Sequence, residues 1–163
     1  MIKSWVRRFL TTTADIPGTW TRSGPDAFQD SSLGICRTES SNGDSFYATI
    51  SGIGEIRVSV LTGGDPASTY DFARNLLVHL PQQDKWYRRF GASDMYDFHL
   101  KLGPSPKVSV RELARRLELS WIQLWNPCAG GAIVWYSAGN LLDGARLGVQ
   151  LDEYRRYCGG GCG

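Results

Sequence analysis

Histidine is nearly missing from this 163-residue chain. There are two, His79 and His99, so any catalytic dyad or imidazole metal site would have to use one of them. No Gly-x-Ser-x-Gly elbow, His-Glu-x-x-His helix or phosphate loop occurs, which removes the common signatures of hydrolases and nucleotide-binding enzymes. No run approaches the roughly 18 apolar residues of a membrane-spanning helix. The opening "MIKSWVRRFL" is interrupted by Arg7 and Arg8, so it lacks the apolar core of about 7–15 residues of a secretory signal. A cytoplasmic protein with reduced thiols is the expectation. An excess of one charge is missing too. Eighteen Lys and Arg stand against sixteen Asp and Glu, a net +2, which is no broad field for a polyanion or a membrane surface.

Cysteine is sparse and badly spaced for metal. Cys158 and Cys162 are four apart in the closing "CGGGCG", while Cys36 and Cys128 have no near neighbour, so no second pair completes a four-ligand zinc site. A redox pair would need Cys-x-x-Cys at a helix N-terminus. No metal or cofactor is expected, and residues 158–163 read as a flexible glycine-rich tail after one domain spanning 1–157.

What is present is ordinary globular material, 42% hydrophobic and 21% charged, with six tryptophans. Residues 11–44 are rich in Ser, Thr, Gly, Asp and Pro and read as loops with one short strand near "LGICRT". "SFYATIS" and "GEIRVSVLT" alternate as a hairpin with one buried and one wet face. Asp65 and Pro66 then suit a helix start, with Phe72, Leu76, Leu77 and Leu80 in register and Pro81 as its stop. A second, aromatic helical stretch follows from about Gln82 to Leu102 (Trp86, Tyr87, Phe90), with Gly91 as a break. Ser109 and Glu112 form a capping box before Leu113 and Leu117. Three strands close the chain: "LSWIQLW", "GAIVWYS" and "RLGVQLD". Strands, then helices, then strands predict an α+β domain, an antiparallel sheet with about three helices packed on one face.

The C-terminal layout, "VSVRELARRLELSWIQLW" followed by "GGAIVWYSAGNLLDGARLGVQLD", resembles uncharacterised small bacterial α+β families of the "domain of unknown function" kind. Some of their members are found near toxin and immunity genes. Relatives enter the last of these strands through a Gly-His pair, where this chain has Gly144 and Ala145. The resemblance brings no catalytic residue. It implies a non-enzymatic, cytosolic protein-binding role of the immunity type.

Two surface sets are candidates. "SWIQLW" and "AIVWYS" are apolar on both faces, so Trp121, Trp125, Trp135 and Tyr136 either fill a doubly covered sheet or anchor a protein partner. The basic pairs suggest an alternative, nucleic acid bound by Arg88, Arg89, Arg111 and Arg115 if the fold gathers them on one surface. Against it, neighbours on a helix point about 100° apart, so a basic pair alone is no patch.

Overall fold

The computed structural model describes residues 15–39, 45–60, 66–102, 108–124, 131–142 and 144–163. Among the described residues nine strands form one sheet whose spatial order follows the sequence: β1 (Trp20–Gly24), β2 (Ala27–Asp30), β3 (Gly34–Thr38), β4 (Ser45–Ile50), β5 (Gly54–Val60), β6 (Glu118–Leu124), β7 (Ala132–Ser137), β8 (Arg146–Leu151) and β9 (Tyr157–Cys162). Between β5 and β6 lie α1 (Pro66–Leu102) and α2 (Val110–Arg116). The fold is α+β. Every neighbouring pair is antiparallel except β5 and β6, which run parallel because the helical crossover returns the chain to the same end of the sheet.

Two helices are described where three were expected. α1 runs through both of its anticipated breaks for 37 residues, about 55 Å at 1.5 Å per residue. An interior proline costs about 3 kcal/mol. Here Leu76, Leu77 and Leu80 before it and Tyr87, Phe90 and Met95 after it are all buried. Each such side chain returns roughly 1.5–3 kcal/mol, so burial on both sides outweighs the missing hydrogen bond. Gly91 does not break the helix either. A Cβ there would lie 2.8 Å from Val149 Cγ2 and 2.9 Å from Leu147 Cδ2, and one on Gly160 would lie 3.1 Å from the Gly91 Cα. The two glycines let α1 and β9 approach backbone to backbone.

That contact corrects the reading of the tail. Residues 157–162 are a strand, with Val149 opposite Gly160, Gly148 opposite Gly161 and Leu147 opposite Cys162. Gly163 extends the pairing, its N–H donating to the Arg146 carbonyl at 3.0 Å and its carbonyl accepting from the Arg146 N–H at 3.1 Å. Of the three glycines in this strand, Gly160 is the one that α1 leaves no room to carry a side chain, while Gly159 and Gly161 face open space. The extended backbone also separates the Cys158 and Cys162 Cα atoms by about 13 Å. A disulfide needs about 4.4–6.8 Å, so these thiols cannot bond to each other while β9 is in place.

The helix-covered face of the sheet supplies Phe28, Cys36, Phe46, Ala48, Ile56, Val58, Ile122, Leu124, Val134, Tyr136, Leu147 and Val149 to the core under α1. Val60, Trp86 and Ile133, expected in the core from the sequence, depart from it: the first two are only partly buried, and Ile133 is buried on the opposite face of the sheet beside Trp135. Two tyrosines fix the helix over the sheet, Tyr136 donating to Asp84 Oδ1 at 2.8 Å and Tyr157 to Asp94. The N-terminal region contributes strands β1 and β2 beyond the expected β3. They extend the sheet around the start of α1, where Trp20, Phe28 and Tyr70 pack together. At five and four residues they are too short to display the alternation that would announce them.

A buried ion pair ties this N-terminal half to α1. Arg74 Nε donates to Asp30 Oδ2 at 2.7 Å, and both side chains are 1% exposed. Arg74 Nη1 reaches Asp71 at 2.6 Å, and Asp30 also accepts from the backbone N–H groups of Ser32 and Leu33. Burial pushes the Asp30 carboxyl up, but these donors together hold it below the usual carboxylate range. Burial, with the Asp30 charge beside it, pushes the Cys36 thiol up to about 12, which leaves it unreactive at neutral pH.

Candidate functional site

The sheet has two faces and both described helices lie on one of them. On the other face the strand registers align one residue per strand into a transverse row: Arg37, Tyr47, Arg57, Trp121, Trp135, Gly148 and Gly161. Alternation produces this row. Val58, Ile122 and Val134 point to the core, so their neighbours Arg57, Trp121 and Trp135 must point away.

At its centre Trp121 and Trp135 stack with centroids 5.2 Å apart and an interplanar angle of 21°. The Trp135 Nε1–H donates to Gln123 Oε1 at 3.2 Å, which fixes that ring. The Arg146 guanidinium lies over Trp121, 4.4 Å from its centroid. Both rings are half-buried, and Trp135 extends over the bare backbone of Gly148 towards Gly163. Gly148 has a structural reason to lack a side chain, since a Cβ would come within 3.0 Å of the Trp135 ring.

Around this centre the charges are paired. Arg57 Nε meets Glu39 at 2.7 Å, and Arg37 Nη2 meets Glu55 at 3.5 Å while its guanidinium covers Tyr47 at 4.3 Å. Hydrogen bonds from Arg57 and the Tyr47 hydroxyl hold the Glu39 carboxyl below its ordinary value. The face is therefore an aromatic centre with a charge-balanced rim.

The structure brings together two of the four anticipated anchors, Trp121 and Trp135. Tyr136 is corrected. It is fully buried on the helix side, bonded to Asp84, and burial followed by the Asp84 charge raises its phenol well above the ordinary value. Its neighbour Trp135 points outward, and one residue of a strand reverses the face. Trp125 and Cys128 lie outside the described residues, as do the side chains of His99 and Cys162. Tyr47, Arg57 and Arg146 were missed. The wet faces of "SFYATIS", "GEIRVSVLT" and "RLGVQLD" held them in plain sight, but only the pairing register places them beside the tryptophans.

The second candidate set also converges. Arg88 and Arg89 from α1 and Arg111 and Arg115 from α2 line one groove of about 870 Å³ with Lys85, Asp84, Val110 and Ala114. α2 stands in this position through its Ser109 cap, whose hydroxyl accepts from the Glu112 N–H at 3.2 Å, and through the buried Leu113. Two of the four guanidinium groups are already engaged. Arg88 holds Asp84 at 2.7 Å and donates to the Leu117 carbonyl, and Arg115 holds Glu112 at 2.8 Å.

Neither a protein family model, nor a curated protein, nor a solved structure matches this chain. Its function must be read from these surfaces. Among the described residues no three His, Cys, Asp or Glu side chains gather as a metal group. No described helix is long and apolar enough to cross a membrane.

Proposed function

We propose that this is a non-enzymatic, cytoplasmic binding protein that docks a protein partner on the outer face of its sheet. The observation that carries the reading is the Trp121–Trp135 stack, ordered by Gln123 and Arg146 and set in a rim of compensated charges. Interfaces concentrate their energy in such centres, where Trp offers a large rigid contact at little entropy loss, Arg adds a planar charged contact and the polar rim excludes water. Glu39 and Glu55 on the same face oppose a phosphate chain there, which favours a protein over nucleic acid as occupant. The resemblance to small bacterial domains found near toxin and immunity genes makes a toxin the partner class we propose, neutralised by occlusion.

The test is affinity capture from the native host with wild-type protein and with Trp135→Ala and Trp121→Ala. One stoichiometric protein should be retained by the wild type and bound at least about 30-fold more weakly by each variant, the scale of an interface hot spot of about 2 kcal/mol. Equal retention by all three would remove the aromatic row from the interface and defeat the proposal.

A further inference from the structure

A different surface of the molecule carries a separate charge. The groove between α1 and α2 places five cations, Lys85, Arg88, Arg89, Arg111 and Arg115, against two carboxylates, Asp84 in its lining and Glu112 paired with Arg115. The whole chain is only +2, so positive charge is concentrated here and balanced elsewhere. We propose that this groove binds single-stranded nucleic acid through its phosphodiester backbone.

Each part of the groove has a distinct role in this reading. Arg88 is a strut, tied to Asp84 and to the Leu117 carbonyl, and it holds α2 against α1. Lys85, Arg89 and Arg111 are exposed and make no ion pair with any described residue, so their charge is available to a ligand. Lys85 and Arg89 stand on one wall and Arg111 on the other. Val110 and Ala114 give the space between them an apolar lining that a base or sugar can cover. Arg115 also borders a second hollow of about 650 Å³, but Glu118 stands among its lining residues and Glu112 pairs with both Arg115 and Arg116, so the unpaired charge is confined to the first groove.

Nucleic acid is favoured over an acidic peptide by the cation used. The guanidinium groups of Arg89 and Arg111 fork onto phosphate as they would onto a carboxylate, but they also stack on bases, which an acidic side chain does not offer. A single strand is favoured over a duplex because the cations line a recess between two helices, which a flexible strand can enter and a stiff double helix cannot.

The experiment is fluorescence anisotropy of a labelled 12-nucleotide single strand with the full chain, from 50 to 200 mM salt. Three free cations predict a slope of log K against log salt of about −2, at 0.7 per phosphate neutralised, and hence about 15-fold weaker binding across that range. The double variant Arg89→Glu/Arg111→Glu should bind at least about tenfold more weakly at the lowest salt. Its unfolding midpoint should equal that of the wild type, since both side chains are exposed. Affinity indifferent to salt or to the double variant would overturn the proposal. So would a poly-glutamate or a duplex of matched length binding as tightly as the single strand. Because these arginines lie apart from the aromatic row, failure here leaves partner docking on the sheet untouched.

Discussion

Deleting residues 158–163 is expected to cost at least about 3 kcal/mol of stability and to lower the unfolding midpoint by roughly 10 °C. A loose glycine tail would contribute nothing, since glycine buries little and loses much entropy on ordering. β9 is different because it is paired along its length with β8 and lies under α1. Its removal exposes the β8 edge, opens the Gly91 seam and strips the contacts that hold Tyr157 against Phe90 and Asp94. Several backbone hydrogen bonds at about 1 kcal/mol each are lost with it, together with apolar cover over Leu147 and Val149. Thermal unfolding followed by circular dichroism decides the matter. A midpoint within a degree of the wild type would return these residues to the status of an ornament.

A still larger loss is expected from Arg74→Met. It leaves the Asp30 carboxylate buried without its cation, which costs about 3–5 kcal/mol. The double variant Arg74→Met/Asp30→Leu should recover much of this, because the loss comes from a stranded charge more than from a forfeited attraction. Denaturant unfolding of the two variants beside the wild type checks it, and equal stability of the single and double variants would refute it. The pair also sets an acid limit. Asp30 is held below its ordinary range in the folded protein, so its contribution is full above the unfolded value near about 3.9 and fades as pH falls towards the folded value. Acid unfolding of Asp30→Asn should accordingly show a shallower decline below about pH 4 than the wild type.

The hairpin β4–β5 could be read from alternation, β6 to β8 from short apolar runs between turn signals, and the capped α2 from the Ser109–Glu112 spacing, since all are local patterns. Pro81, Gly91 and the closing glycines misled for one shared reason. Each is a local signal against regular structure, and each is overridden by tertiary packing that a local reading cannot weigh. At Gly91 and Gly160 the absence of a side chain serves close approach and not flexibility. The site was half legible. Trp121 and Trp135 declared themselves by composition, but Tyr136 could be separated from Trp135 only by knowing which strand face met α1. The arginine groove needed the docking of α2 on α1, which joins residues from Lys85 to Arg115.

The one parallel seam, between β5 and β6, divides the molecule kinetically. On either side of it the strands pair with their sequence neighbours, so the five-strand and four-strand halves rest on contacts between residues close in the chain. Joining Val58 to Ile122 instead requires closing a loop that contains all of α1 and α2. Contacts of that separation are the slow ones, because their loop entropy is lost before any contact is gained. Two meanders that form early and wait on one distant junction give a chain whose folding time is set at its middle strands and not at its ends.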